Sequence, residues 1–256
     1  MVNQEVFGEK LKQRFWEIDF LRGIAIVMMI FFHLLYNLNY FGVYSIEVSS
    51  GFWRYFARTT ASVFILLVGV SLTLSFSRAE IKQEKWKATY ARYVKRGLKI
   101  FSWGLIITLV TWIFIHDDFI IFGILHFIGV SIILACLFLK RYRANLFVGV
   151  VFVVLGLYLE NFTFDFSWLF WLGFMHKGDF FVDYFPLLPW FGLILIGMFI
   201  GKTMYRNYTR QFNIPVLEKI SIVRLFCFLG RKSLLIYLLH QPVLIGVLYL
   251  LGVGVV

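Results

Sequence analysis

Residues 19–37 read DFLRGIAIVMMIFFHLLYN, an apolar run of transmembrane length that carries one arginine and one histidine. Arg22 and His33 are eleven residues apart. At about 100° per residue, their side chains project within about 20° of each other on a helix. Asp19 and Asn37 fall near the same stripe, because they lie one helical turn before Arg22 and one after His33. Polar groups are costly inside a bilayer, so such a stripe usually faces the bundle interior and marks function.

The polar residues of this stripe can also be explained without a function. Arg22 can lie at the cytoplasmic edge, paired with Asp19 and reaching lipid phosphate. His33 can be a neutral histidine that is hydrogen-bonded across helices. Since His33 lies well inside the apolar run, it is the stronger candidate for a functional role.

The composition indicates an all-α membrane protein. The chain has 256 residues, of which 61% are hydrophobic and only 15% are charged. Soluble domains do not have this composition. The net charge is +11, and the basic residues lie between the apolar runs. This distribution is typical of the loops of membrane proteins and not of nucleic-acid binding. Cys136 and Cys227 read as small apolar residues, and no metal site is predicted.

The hydropathy pattern predicts a polytopic bundle of about seven transmembrane helices in one domain, 18–256, after a polar lead-in over 1–17. The predicted spans are about 18–38, 59–77, 98–115, 119–139, 145–160, 185–204 and 225–251. With a cytoplasmic N-terminus and an outside C-terminus, only Arg54, Arg58 and Lys177 of the 25 lysines and arginines lie on the far side. The aromatic segment 161–184 leaves an additional short span open.

Two further histidines lie in apolar runs. His126 falls in the fourth predicted span, and His240 falls in the seventh, where Tyr237 and Gln241 continue a polar stripe. The predicted orientation puts His33, His126 and His240 in the middle-to-outer part of the membrane. We therefore expect the three histidines to line one cavity.

A basic segment precedes the third predicted span. Arg92, Arg96 and Lys99 share one helical face there. They are candidates for binding the phosphates of a cofactor through charge-assisted hydrogen bonds. The alternative is that these charges only set topology and meet anionic lipid head groups.

Five segments resemble a known family. They are IDFLRGIAIVMMIFFHLLYNLNYFGVY (18–44), KRGLKIFSWGLIITLVTWIFI (95–115), FGILHFIGVSIILA (122–135), DYFPLLPWFGLILIGMFIG (183–201) and LGRKSLLIYLLHQPVL (229–244). From about residue 14 to its end, the chain resembles the prokaryotic branch of the heparan-alpha-glucosaminide N-acetyltransferase catalytic-domain family. The Arg22-x10-His33 pattern also resembles the hallmark of the wider transmembrane acyltransferase superfamily.

The resemblance implies a membrane enzyme that moves an acyl group, typically acetyl from cytoplasmic acetyl-CoA, to an amine or hydroxyl at the other face. The acceptor would be sugar-like or lipid-linked, and the location the plasma membrane of a prokaryote. Carried onto this chain, His33 is the candidate catalytic histidine and Arg22 its motif partner. His126 and His240 lie in family-like segments without a defined role. The loop 39–58 lacks the histidine that the lysosomal branch carries there.

The residue inventory suits this chemistry. His33 can act as general base, or can take the acyl group itself. Asn37, Tyr237 or Gln241 can donate hydrogen bonds to the oxyanion, and Tyr237, Gln241 and Asp19 are candidate substrate-binding residues. The alternatives are a transporter of a small or lipid-linked substrate and, less well supported, a haem-binding membrane protein. The sequence leaves the acceptor and a homodimer open.

Overall fold

The computed structural model describes residues 14–45, 47–116, 119–178 and 181–253. The described residues form eight α-helices, two short 3-10 turns and one isolated bridge. Positions 1–13 of the predicted lead-in, and also Asp117, Asp118 and Asp179, lie outside the described residues. The helices are α1 (Trp16–Tyr40), α2 (Gly51–Ile81), α3 (Trp86–Phe114), α4 (Ile124–Ala135), α5 (Tyr142–Leu159), α6 (Leu187–Met204), α7 (Ser221–Arg231) and α8 (Ser233–Leu250).

Six of these helices are long and apolar enough to cross a membrane: α1, α2, α3, α5, α6 and α8. The polytopic helical fold is therefore confirmed. Two helices reach further into the neighbouring loops than predicted, since α2 starts at Gly51 and α3 at Trp86. The basic stretch 86–97 contains Lys, Arg and Ala, which favour helix, and no Pro, which would break it. It is therefore helical.

The described chain divides into two units by packing. The first consists of α1, the beginning of α2 up to Phe64, α7 and α8, and the second of residues 65–212. In the first unit His33 of α1 packs on His240 of α8, and Asn37, further along α1, binds Gln241. The order of these contacts indicates that α1 and α8 run parallel. Helix α7 crosses α1 closely, and a Cβ on Gly23 would collide with the carbonyl group of Phe226.

The predicted span 225–251 is wrong as a single helix, because it breaks at Lys232 into α7 and α8. Helix α7 buries Val223 and Cys227 against Trp16 of α1. Its outer side carries exposed Ile222, Leu225 and Phe228 together with Arg224 and Arg231. This amphipathic pattern, with charges on one side, suits the surface of a membrane and not its interior.

In the second unit α4 returns antiparallel along α3. Gly129 of α4 packs against Gly97, and His126, one turn earlier, packs against Gly104. Further on, the Lys140 ammonium lies 5.0 Å from the ring centroid of Trp86, at the start of α3. The segment 119–140 therefore runs nearly the length of α3.

The fourth predicted span, 119–139, contains only the 12-residue helix α4. Residues 119–123 are not helical because two hydroxyls of α3 bind the backbone there. The Thr108 hydroxyl donates to the Ile120 carbonyl at 2.6 Å, and the Ile120 N–H donates to Thr111 Oγ1 at 3.1 Å. These bonds replace the intrahelical ones, and hydropathy does not reveal them.

The helix directions in the second unit require 119–140 to be a crossing. Helix α6 runs parallel to α2, since Gly197 packs on Leu66 and Gly201 on Val70. The spanning helices between them are α3 and α5. With only these two crossings, α6 would run antiparallel to α2. The parallel packing therefore makes the α4 segment a third crossing between them, which supports the predicted total of seven.

The described residues of 161–184 contain no further span. Their regular structure is the 3-10 turn Phe170–Leu172 and a bridge between Phe164 and His176. The Tyr184 hydroxyl donates to the Phe170 carbonyl at 2.5 Å, and burial raises the pKa of this hydroxyl. It therefore remains protonated and holds the segment in place.

Candidate functional site

The polar stripe of α1 meets the polar stripe of α8 at two histidines. The ring centroids of His33 and His240 are 4.7 Å apart, with an angle of 77° between the planes. The two rings are in direct edge-to-face contact. The structure thus brings together two of the predicted catalytic residues from opposite ends of the sequence.

Hydrogen bonds to the backbone fix the same tautomer in both rings. His33 Nδ1 lies 2.9 Å from the Met29 carbonyl oxygen, and His240 Nδ1 lies 2.5 Å from that of Tyr237. A carbonyl oxygen only accepts, so Nδ1 carries the hydrogen in each neutral ring. Nε2 is then the basic nitrogen in both histidines, as a general base requires.

The two rings differ in burial. His33 is half-buried, whereas His240 is only 8% exposed. His240 Nε2 is buried and has no hydrogen-bond partner within the described ranges of the chain. His33 is therefore the more exposed of the two rings.

Asn37 and Gln241 lie beside this pair. Asn37 Nδ2 donates to Gln241 Oε1 at 2.9 Å, and Asn37 is only 5% exposed. This bond fixes the register of α8 on α1. Because Gln241 uses its oxygen here, its amide hydrogens take no part in this bond. Tyr237 packs on His240, with ring centroids 5.4 Å apart.

Arg22 and Asp19 lie near the start of α1 and pair with each other. Arg22 Nη1 is 3.2 Å from Asp19 Oδ1, and Arg14 Nε is 3.0 Å from Asp19 Oδ2. Buried Asp19 thus pairs with two arginines, and its negative charge is favourable near the helix N-terminus. The pairing of Arg22 with Asp19 is confirmed, while substrate binding by Asp19 stays a prediction.

His126 belongs to the second unit and has the opposite tautomer. The Gly123 N–H donates to His126 Nδ1 at 3.3 Å, so the ring hydrogen is on Nε2, 3.4 Å from Thr108 Oγ1. Both ring nitrogens therefore have partners at the start of α4. That His126 shares a cavity with the other two histidines stays a prediction.

Two supporting residues of this region were not singled out from the sequence. The Thr108 hydroxyl lies beside His126, and Asp183 Oδ2 accepts from the Ile124 N–H at 3.4 Å, which caps α4. A hydroxyl inside the apolar run 98–115 was the available signal for Thr108. Nothing in the local pattern pointed to Asp183, which reaches α4 from a distant loop.

The predicted phosphate-binding residues lie on the first half of α3. Arg92, Arg96 and Lys99 are all exposed. Arg92 Nη1 is 2.7 Å from Glu84 Oε2, so part of this positive charge is neutralised. This ion pair, which the sequence pattern does not reveal, weakens the case for Arg92 more than for Arg96 or Lys99.

The geometry of the histidine pair does not suit haem. Two imidazoles that ligate one iron stand on opposite sides of the porphyrin, whereas these rings touch each other. Among the described residues no three His, Cys, Asp or Glu side chains gather where they could hold a metal ion.

Comparison with known families gives one match. A family model described as "Heparan-alpha-glucosaminide N-acetyltransferase, catalytic" matches residues 14–242. The match extends from the start of α1 into α8 and includes His33, His126 and His240. No curated protein and no solved structure matches the chain.

Proposed function

The chain belongs to the heparan-alpha-glucosaminide N-acetyltransferase catalytic-domain family, and from this premise we propose that it transfers acetyl from acetyl-CoA to a sugar-like acceptor. Family and helices together make it an integral-membrane protein of acetyltransferase type. The donor, the acceptor and the catalytic residues are the proposed part.

The observation that carries the proposal is the tautomer of His33. Its Nδ1 hydrogen is bound to Met29, so Nε2 remains the basic nitrogen of a half-buried ring on the polar stripe of α1. His33 Nε2 takes the proton of the acceptor amine or hydroxyl as that group attacks the thioester carbon. The C–S bond then breaks, and the proton passes to the departing CoA thiolate.

The developing oxyanion needs hydrogen-bond donors in a dry site. Gln241 is the first candidate, because Asn37 occupies its oxygen and leaves its amide hydrogens to donate. Asn37 orients Gln241, and Tyr237 packs beside His240. These residues bind the transition state in this proposal, while Arg22 and Asp19 hold the start of α1.

The distribution of charge gives the direction of transfer. We place the N-terminus and the basic segment in the cytoplasm, where Arg96, Lys99 and the partly neutralised Arg92 bind the phosphates of CoA. The acceptor, sugar-like or lipid-linked, is at the outer face of a prokaryotic plasma membrane. We give His126 a structural role, because both of its ring nitrogens have partners.

Acetyl-CoA binding and CoA release by purified protein test the donor half of the reaction. We expect micromolar binding in wild type and in His33→Ala, with CoA release lost only in the variant. Arg22→Ala should weaken both through its effect on α1, and His116→Ala, at an exposed histidine, is the matched control. Wild-type release by His33→Ala would end the assignment of His33.

Absence of acetyl-CoA binding in a folded sample would end the acyltransferase proposal. Substrate counterflow into liposomes without acyl-CoA would then favour transport. For the phosphate site, Arg96→Gln is compared with Lys87→Gln, which removes the same charge from another side of α3. Only Arg96→Gln should weaken CoA binding, and equal effects would indicate a merely electrostatic contribution of the segment.

A further inference from the structure

The unpaired nitrogen of His240 needs an explanation. It lies on a ring that is 8% exposed, on a helix whose other buried residue is Leu248. A buried polar atom without a partner costs free energy, and native structures keep few of them. Such an atom therefore indicates either a bound molecule or a role in another state of the protein.

The ring packed against His240 is the proposed base. His33 contacts it edge to face, and the nearby amides of Asn37 and Gln241 are bonded to each other. The charged residues of the α2 segment that packs on α1 through Trp53 and Phe56 are Arg54 and Arg58. The charge that changes during the proposed reaction is that of His33 itself.

We propose that His240 is a positioning residue whose Nε2 lone pair, on the ring packed against His33, stabilises the positive charge of the protonated His33 ring. The inference rests on the proposed role of His33 as general base. When the acceptor's N–H or O–H bond breaks, a new N–H bond forms at His33 Nε2, and this ring becomes an imidazolium. That hydrogen then moves to the CoA thiolate, while His240 itself gains and loses no proton.

The burial of His240 fits an indirect role. Its Nε2 is closed to solvent, so it meets no substrate, and its Nδ1 hydrogen is held by Tyr237. The lone pair thus has a fixed direction before the reaction starts. A lone pair held in place near a developing positive charge stabilises the transition state electrostatically.

Two variants separate this role from simple packing. His240→Phe keeps an aromatic ring but removes the lone pair, whereas His240→Gln keeps a hydrogen-bond acceptor. Leu239→Phe adds a ring at the neighbouring position, which is 50% exposed, and serves as control. We expect His240→Phe to lower kcat by on the order of 100-fold with KM unchanged. His240→Gln should restore most of kcat, and Leu239→Phe should match wild type.

A second readout does not depend on activity. In nanodiscs with ¹⁵N-histidine, NMR gives the fraction of imidazolium at His33 at one fixed acidic pH. We expect a smaller fraction in His240→Phe than in wild type, with His240→Gln between them and Leu239→Phe unchanged. An unchanged fraction in His240→Phe, or equal kcat in the Phe and Gln variants, would overturn the proposal.

The two readouts distinguish the failures. If wild type transfers no acetyl group but the imidazolium fraction still falls in His240→Phe, the proposed function is wrong and the coupling of the two rings stands. If wild type is active and neither kcat nor the imidazolium fraction responds, the function stands and the role of His240 falls. Unfolding midpoints of all variants show whether a loss reflects folding.

Discussion

Two places in this molecule put histidine in an apolar environment, and they use it in opposite ways. At the α1–α8 contact, His33 and His240 donate Nδ1 hydrogens to carbonyls of their own helices, which leaves Nε2 basic. At the start of α4, His126 accepts from a backbone N–H and faces a threonine hydroxyl. The first arrangement leaves a basic Nε2 on each ring, and the second uses both nitrogens of one ring to hold a helix start.

The difference lies in where the ring sits on its helix. His33 and His240 follow at least one complete helical turn, so each Nδ1 meets a carbonyl three or four residues earlier. His126 is the third residue of α4, where the backbone still offers unpaired N–H groups. Position relative to the helix start thus decides the tautomer, and the tautomer decides whether a basic nitrogen remains.

The largest expected effect is on catalysis at His33. His33→Ala should lower acetyl transfer per folded molecule by about 100-fold or more, because a general base contributes at least that factor. The unfolding midpoint should stay near that of wild type, since the ring is half-buried and hydrogen-bonds within its own helix. Turnover measured beside SDS-induced unfolding checks both. If His33→Ala lost as much stability as His126→Leu, the contrast between a catalytic His33 and a structural His126 would be wrong.

His126→Leu should show the reverse pattern. It leaves Gly123 N–H and Thr108 without their partner in a buried place, which costs about 2–4 kcal/mol of unfolding free energy. Turnover per folded molecule should remain within about twofold of wild type. His116→Leu, at an exposed histidine, is the control. Loss of turnover in fully folded His126→Leu would give His126 a catalytic role.

A smaller effect is expected at Thr108. Thr108→Val keeps the shape but removes the hydroxyl that binds the Ile120 carbonyl, at a cost of about 1 kcal/mol. Ser102→Ala on the same helix is the control, because that hydroxyl bonds only within α3 and is exposed. Equal unfolding free energies for the two variants would show that Thr108 does not support the α4 start.

The smallest effect is the coupling between Asn37 and Gln241. A double-mutant cycle with Asn37→Ala and Gln241→Ala should give about 0.6 kcal/mol, which is typical of interhelical hydrogen bonds in membranes. The same cycle with Asn37→Ala and Leu239→Ala should give none. Coupling near zero in the first cycle would mean that the histidine contact alone sets the register of α8.

Patterns within one helix were predictable from the sequence. The spacing of Arg22, His33 and Asn37 gives the polar stripe of α1, and Tyr237 to Gln241 gives that of α8. The contact between the stripes was not predictable. It joins positions 204 residues apart at Asn37 and Gln241, which no spacing within one helix relates.

The ends of some helices could not be predicted from the sequence either. Hydropathy found the apolar run 119–139 but not the hydroxyls of Thr108 and Thr111, which take Ile120 out of the helix. It likewise joined α7 to α8, although the helix breaks at Lys232 within the short polar run 230–233. Side-chain bonds to the backbone decide the first of these ends, and a dip in hydropathy too short to divide the apolar run marks the second.

The facing glycines of the second unit limit which substitutions the sequence of this protein can accept. Gly97 faces the Gly129 carbonyl, Gly149 faces that of Gly192, and a methyl group on either member would meet backbone. Neither partner can grow unless the opposite helix moves, so these positions can change only together with their surroundings. Exposed Leu105 and Ile113 need only remain apolar. Distant relatives should therefore preserve the spacing of these glycines longer than the identity of their lipid-facing residues.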